Sequence, residues 1–355
     1  MTVGEKVAGA APDPSSSGNS RRSPEPGGSP GGSGRRRFDV DATRETVGRL
    51  FSQNGLLLIL LVWVVFLAVA TDGFFTRTNI LLVLRQSSTI GVVAIGATVV
   101  ILLGEIDLSL GSIVSVSGVI TAKMLIDGGF SPLVGSVVGV LVGAVSGLVN
   151  GLLVTVLRIN SFMATLGMMS VLGGVAFLLT GGQTLFGDEL NPLAFLSNGY
   201  VVGIPFPVIL LFVFYAIAWV VLTRTGYGAR VYAVGNNPRA SFLAGIRVNL
   251  IKVCTFGLAG VLAGFGGLMQ VSRLNAASGG LGADLLFPVI TAVVLGGVGL
   301  SGGRGRIQDV LIASVFLATI TNGLILLGVG GYTQQVVSGA ILIAALGLDR
   351  WRRAS

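Results

Sequence analysis

Residues 132–156 read PLVGSVVGVLVGAVSGLVNGLLVTV, a run with no charged side chain. About 20 mostly apolar residues are enough to cross the hydrocarbon core of a bilayer as a helix. Gly135, Gly139, Gly143, Gly147 and Gly151 recur at every fourth position. That spacing puts them on one helical face, where small residues let helix backbones approach closely in lipid. The stretch predicts a membrane-spanning helix packed tightly against a neighbour. It carries no information about a substrate.

The rest of the 355-residue chain has the same character. Hydrophobic residues make up 52%, charged residues 11%, and mean hydropathy is +0.87. A soluble domain is about a quarter charged, so this chain cannot clothe a globular surface in water. The expected fold is all-α and polytopic, with the lipid bilayer as solvent. Ten candidate spans are read at 55–74, 86–103, 108–126, 132–156, 162–180, 204–223, 251–271, 286–300, 308–328 and 332–348. They organise the chain into a tail at 1–49, a transmembrane domain at 50–350 and a short C-terminal tail at 351–355.

An even number of spans puts both termini on one side, and the cations choose which. With the N-terminus inside, nineteen Lys and Arg fall on the cytoplasmic side and four, Arg77, Arg85, Lys123 and Arg273, on the other. Without the tail the count is eleven to four, so several loops carry the bias that positive-inside topology requires. The net charge of +8 is read as topology, with no nucleic-acid partner. Residues 1–49 combine Ser/Gly/Pro runs with Arg21-Arg22 and Arg35-Arg36-Arg37. Such a segment buries too little apolar surface to offset its chain entropy, so a disordered, basic cytoplasmic tail is expected. Its hydrophobic run starts too late for a signal peptide.

The chain has no histidine and one cysteine, Cys254. Histidine-based catalysis and His/Cys metal clusters are excluded. Cys254 reads as a buried, apolar thiol. No Gly-x-x-x-x-Gly-Lys-[Ser/Thr] occurs, so the chain has no phosphate-cradling loop. ATP-driven work would need its ATPase on another polypeptide, and this chain would bind no cofactor itself.

Leu103-Gly104-Glu105-Ile106-Asp107-Leu108-Ser109-Leu110-Gly111 matches Leu295-Gly296-Gly297-Val298-Gly299-Leu300-Ser301-Gly302-Gly303 at five of nine positions. Each copy lies between two apolar runs, which suggests two related halves. Glu105 and Asp107 are carboxylates beside spans. They read either as functional groups in a pathway or as capping residues at a turn.

The longest polar segment between spans on the inner side runs from Arg224 to Arg247. Asn236-Asn237-Pro238 reads as a turn that opens a short helix over 238–244, with Pro238 at its first position and Gly245 ending it. A short helix outside the bilayer suits docking into a partner's groove. It also reads as an ordinary connection.

Together these segments resemble the permease subunits of sugar-type ABC importers, the ribose/xylose/galactose group. The residues that carry the resemblance are Leu84-Arg85-Gln86-Ser87, Gly104 to Ser112, Ile159 to Gly167, Leu179 to Gln183, Val234 to Ile246 and Val294 to Gly305. They cover 55–350. The resemblance implies a bacterial plasma-membrane (inner-membrane) protein with both termini cytoplasmic. It implies two permease copies, an ABC ATPase subunit holding the ATP, an external substrate-binding protein and a monosaccharide of the pentose or hexose type. Gly235, Asn236, Asn237, Pro238, Arg239, Ala240, Leu243, Ala244 and Gly245 would form the ATPase-coupling loop. Arg85, Glu105, Asp107 and Ser109 belong to its motifs. Gln86, Ser87, Asn150, Thr165, Asn322, Gln334 and Gln335 are polar groups in or beside spans, candidates for a pathway or for interhelical hydrogen bonds. Three positions depart from the pattern: Glu105 stands where glycine is frequent, Ser161 where proline is, and Arg239 where an acidic residue is. The rival readings are a branched-chain amino acid ABC permease and a proton- or sodium-coupled carrier using Glu105 and Asp107. A membrane enzyme would have only Glu105, Asp107 and Asp309 to work with.

Overall fold

The structure, a computed structural model, describes residues 56–354, with side chains to residue 347. The expected tail at 1–49 lies outside the described residues. The chain folds as α1 (Leu56–Ala70), α2 (Arg77–Leu102), α3 (Leu110–Ile126), α4 (Pro132–Thr155), α5 (Ser161–Thr180), α6 (Phe195–Asn198), α7 (Phe206–Arg224), α8 (Gly226–Asn236), α9 (Pro238–Leu243), α10 (Val248–Leu274), α11 (Leu286–Leu295), α12 (Ile307–Leu326) and α13 (Gly331–Ala354). A two-residue hairpin, β1 (Tyr200–Val201) with β2 (Ile204–Pro205), pairs antiparallel. The fold is all-α apart from that hairpin and one isolated bridge, Leu185 to Ala277, among the described residues.

Every predicted span corresponds to a helix, but the helices are unequal. Among the described residues six of them, α2, α4, α5, α7, α10 and α12, are long and apolar enough to cross a membrane. The span expected at 286–300 is corrected: α11 has 10 residues, and a rise of 1.5 Å per residue covers only about half of a ~30 Å core. The chain reaches α11 through Ala276–Gly282, an irregular stretch in which Ala276, Ala277, Leu281 and Gly282 are buried. Irregular backbone at such a place is tolerated because protein surrounds it. The helix of the span expected from 86 begins at Arg77, so Arg85 lies inside α2 with Gln86 and Ser87 and does not precede it. Residues 226–236, read as loop, form α8. The last helix runs on to Ala354, through the segment expected as a tail.

Local chemistry sets the ends. Thr76 accepts from the Asn79 N–H at the start of α2, and Ser131 caps α4 with Pro132 in the first turn. Asn160 caps α5, which Gly181 closes in the left-handed conformation.

Helix α4 has small residues inward and large ones outward. Gly135 and Gly139 lie against α3; a methyl on Gly139 would stand 2.9 Å from the Ser117 carbonyl oxygen. Gly143, Gly147 and Gly151 lie against α10; a methyl on Gly143 would stand 2.9 Å from the Gly264 Cα. Leu133, Val137, Leu141, Val145 and Leu152 point outward and are exposed. Water would penalise that outward face, whereas lipid does not distinguish it from a core. Helix α10 is central, with Gly260 and Gly264 against α4, Gly267 against α3, and Ala259 against Gly96 of α2. Cys254 on α10 is exposed, which corrects the expectation of burial.

Candidate functional site

Two regions at one end of the bundle concentrate the unusual chemistry: the α8–α9 pair and the break between α2 and α3.

Asn237 separates α8 from α9. Its carboxamide accepts from the Ala240 N–H at 2.9 Å, and Pro238 occupies the first turn. Ala244 caps α9, and Gly245 at φ +82° turns the chain away. Only Ser241 of α9 is buried. Phe242 is 69% exposed and Leu243 79%, although this segment is too short and polar to lie in a bilayer. Arg158, Arg224, Arg230, Arg239, Arg247, Arg304 and Arg306 are also exposed. The salt bridges among the described residues are Lys123–Asp127 and Lys252–Glu105, so these arginines form none there. The α9 surface is therefore apolar at Phe242 and Leu243, with Arg239 exposed on the same helix and Arg247 exposed just beyond it.

Helix α8 does not merely connect. A methyl on Gly235 would overlap the Leu102 carbonyl oxygen and stand 2.7 Å from the Gly303 nitrogen. The Gly303 N–H donates to Leu102 O at 2.8 Å, and Asn236 Nδ2 donates to Gly303 O at 3.4 Å. The Tyr232 hydroxyl donates to Gly305 O at 3.0 Å. The two matching segments of the sequence thus meet each other beneath the end of α8. Their equivalence is one residue out of the sequence register. Gly104 and Gly297 both take φ +76°, and each closes its helix in the same way. The Glu105 and Val298 N–H groups reach back to Val100 and Val293, and those of Gly104 and Gly297 to Ile101 and Val294. The turns match as Gly104 to Gly297, whereas the sequence alignment pairs Gly104 with Gly296.

Between Gly104 and Ser109 the chain is pinned on several sides. The Glu105 carboxylate pairs with Lys252 of α10. Asp107, 4% exposed, accepts on Oδ1 from the Ser109 N–H at 2.9 Å and the Ser109 hydroxyl at 2.6 Å. Asn150 Nδ2 of α4 donates to Ser109 Oγ at 2.7 Å and lies 3.4 Å from Asp107 Oδ2. Ser109 itself makes no side-chain cap; Asp107 holds the residue at which α3 starts. Burial pushes the Asp107 carboxyl above the usual carboxylate range, opposed by its bonds to Ser109 and Asn150. On the α5 side, the Ile106 N–H donates to Ser161 Oγ at 3.2 Å and the Leu108 N–H to Thr165 Oγ1 at 3.1 Å. Ser112 Oγ, in the first turn of α3, donates to Met169 O at 2.9 Å.

The remaining polar candidates are dispersed. Asn322 and Asn79 exchange carboxamide hydrogen bonds at 2.7 and 3.0 Å between α12 and α2. Replacing Asn322 with Leu leaves the buried Asn79 Oδ1 without its donor, while Asn79 Nδ2 keeps its bond to Phe74 O, and an orphaned buried group costs about 1–3 kcal/mol. Thermal unfolding in detergent is expected to show that loss, and the Asn79→Leu/Asn322→Leu double variant to recover part of it. Ser87 is bonded to Leu84 O of its own helix. Arg85 reaches Tyr200 Oη at 2.7 Å and Asn198 Oδ1 at 3.3 Å, beside the hairpin. Gln334 donates to Val329 O and Gln335 to Asp284. Gln86 is half-buried. Asn150, Thr165, Asp107 and Ser109 converge on one place; Arg85, Asn322, Gln334 and Gln335 do not join them. The sequence reading missed Ser161 as a partner, along with Gly302 and Gly303 as a seat for α8. The signal available for Ser161 was a hydroxyl where the resemblance puts proline.

The described helices are those of a polytopic membrane protein, with a short capped helix, α9, exposed at one end. Residues 79–346 match the family described as branched-chain amino acid transport system / permease component. Among curated proteins, the chain is 40% identical over 301 residues to the ribose import permease protein of Bacillus subtilis (strain 168), covering 84% of this chain and 93% of that one. It is 36% identical over 320 residues to the ribose import permease protein of Escherichia coli (strain K12), covering 89% and 97%. It is 36% identical over 310 residues to the L-arabinose ABC transporter permease protein of Azospirillum brasilense, covering 87% and 91%. No solved structure matches the chain. The chain belongs to this family of ABC importer permease subunits. It is a transport component, and in such importers ATP is hydrolysed on a separate subunit.

Proposed function

We propose that the chain is the membrane-spanning subunit of an ATP-driven importer of a monosaccharide, with ribose the first candidate. It works as a pair of copies, takes sugar from an external binding protein, and is driven by an ATPase seated on α9. Both termini face the cytoplasm, as the distribution of cations supports. The family description spans amino acid permeases; the sugar assignment is supported by the similarity to ribose and L-arabinose permeases over nearly the whole domain. A carboxylate-coupled carrier is less well supported, because Glu105 is paired with Lys252 and Asp107 is bonded to its neighbours.

The observation that carries the ATPase role is the exposure of Phe242 and Leu243 on a capped helix outside the spans. Burying such a side chain gives about 1.5–3 kcal/mol, so the pair holds much of the docking energy. Exposed Arg239 in the first turn of α9 runs against that helix's own dipole, which suits a carboxylate supplied by the partner. At Gly245, open space surrounds the position; a larger residue there is opposed by backbone conformation, not by collision.

The test is uptake of radiolabelled D-ribose, L-arabinose and D-allose by proteoliposomes holding the permease, its ATPase and its binding protein. Uptake of one of them is expected to need ATP. Phe242→Glu/Leu243→Glu is expected to weaken ATPase co-purification at least about a hundredfold and bring uptake to background. ATP-independent uptake, or full uptake by that variant, would overturn the reading.

A further inference from the structure

We propose that the Gly104–Ser109 loop is the link that carries movement of α8 and α9 to α5, with Thr165 as its positioning residue on α5. The inference rests on the reading of α9 as the ATPase seat.

The contacts form one continuous path. On one side, Gly235 of α8 lies directly on the Leu102 carbonyl, and Gly302 and Gly303 lie between Gly104 and Asn236. The contacts of Gly235 with Leu102, Gly302 and Gly303, and of Gly302 with Gly104, are backbone to backbone at glycines, and the Asn236 side chain adds to them at Gly303. No flexible side chain intervenes to absorb a displacement, so a shift of α8 reaches Gly104 undiminished. On the other side, the loop is stitched to α5 at successive turns. Ser161 takes the Ile106 N–H, Thr165 takes the Leu108 N–H, and Met169 O takes the Ser112 hydroxyl. Positions 161, 165 and 169 lie on one face of α5. The opposite side of α5 is free, with Met163, Val171 and Leu178 exposed. The helix is thus held to the body mainly along this seam and α3, and it can follow the loop.

The loop itself is stiff. Asp107, Ser109 and Asn150 tie it to α4, and Glu105 ties it to α10 through Lys252. A stiff segment between two seams transmits a displacement between them.

Thr165→Val keeps the shape of the side chain and removes the acceptor for Leu108. In the reconstituted complex it is expected to leave ATPase binding and ATP hydrolysis near wild type. Sugar imported per ATP hydrolysed should fall about tenfold, the loss expected for one buried hydrogen bond. Thr165→Ser, which keeps the hydroxyl, is expected to restore the ratio. Nitroxides at Met163 of α5 and Leu133 of α4 provide a second readout. Their separation should change with ATP and vanadate in the wild type and stay fixed in Thr165→Val. If Thr165→Val does not fold, Ser112→Ala breaks the same seam one turn further on and takes its place. An unchanged import-to-hydrolysis ratio in a folded variant overturns the link. If the wild-type complex shows no ATP-dependent uptake, the importer reading fails, and the nitroxide pair decides the link alone: a wild-type separation that ignores α9 capture by the ATPase overturns it.

Discussion

Gly147→Val is expected to abolish folding of the membrane domain. A methyl at this position would overlap the Phe256 carbonyl oxygen and stand 3.0 Å from the Gly260 Cα. Neither obstacle is a side-chain end that can rotate away. Both belong to the backbone of α10, which is itself held against α2 and α3 through Ala259 and Gly267. Accommodating valine means separating α4 from α10 along the seam that also contains Gly143 and Gly151. Substitutions with so large an obstruction fall in the tail above about 4 kcal/mol, against a total stability of about 5–15 kcal/mol for a typical protein. Size-exclusion chromatography in mild detergent is expected to show aggregate and no monodisperse peak. Val145→Leu changes the outward face of the same helix, where Val145 is 57% exposed, and is expected to behave as wild type. A monodisperse Gly147→Val protein with an unchanged melting temperature would mean that α4 and α10 do not pack as described.

That seam was readable from sequence because lipid simplifies the problem. With no hydrophobic drive between helices, close backbone packing needs small residues at fixed spacing, and the spacing of Gly135 to Gly151 announces it. Helix α9 was readable for a different reason. Asn237, Pro238 and Gly245 each have a local conformational role that depends little on the rest of the chain. What failed was long-range. Nothing local in Ala276–Gly282 says that it enters the bundle and leaves α11 half the length of a span. Arg85 fell outside the span read at 86–103, because the partners that accept it inside a helix, Asn198 and Tyr200, lie more than a hundred residues away. The match of the two glycine-rich segments was visible, but not that they touch or that their turns are one residue out of register. The carboxylates of the first segment were ambiguous for the same reason. Whether Asp107 serves a pathway or a turn depends on Asn150 and Thr165, and those neighbours are set by tertiary packing.

Asp107 therefore carries the second large effect. Asp107→Ala removes the acceptor of both the Ser109 N–H and the Ser109 hydroxyl in a place closed to water. At about 1–3 kcal/mol for each orphaned group, a loss of about 3 kcal/mol is expected, visible as a marked fall in melting temperature. Asp107→Asn behaves in the opposite sense. It keeps an acceptor for Ser109, and its new amide can donate to Asn150 Oδ1, which has no partner in the wild type, once the Asn150 carboxamide rotates. The charge is what the site tolerates poorly, since burial holds the folded carboxyl above its ordinary value of 3.8. A carboxyl raised on folding binds its proton more tightly in the native state. Its contribution is fully present below the unfolded value and is lost as pH rises through the folded one. Wild type is thus expected to lose stability relative to Asp107→Asn as pH rises from about 4 to neutral, the window above the unfolded value. Melting temperatures of the two proteins measured across that range should diverge, with the Asn variant higher at pH 7. Divergence in the other direction, with wild type gaining on the variant toward neutral pH, would mean that the bonds to Ser109 and Asn150 outweigh burial, and that the loop is held by a charge.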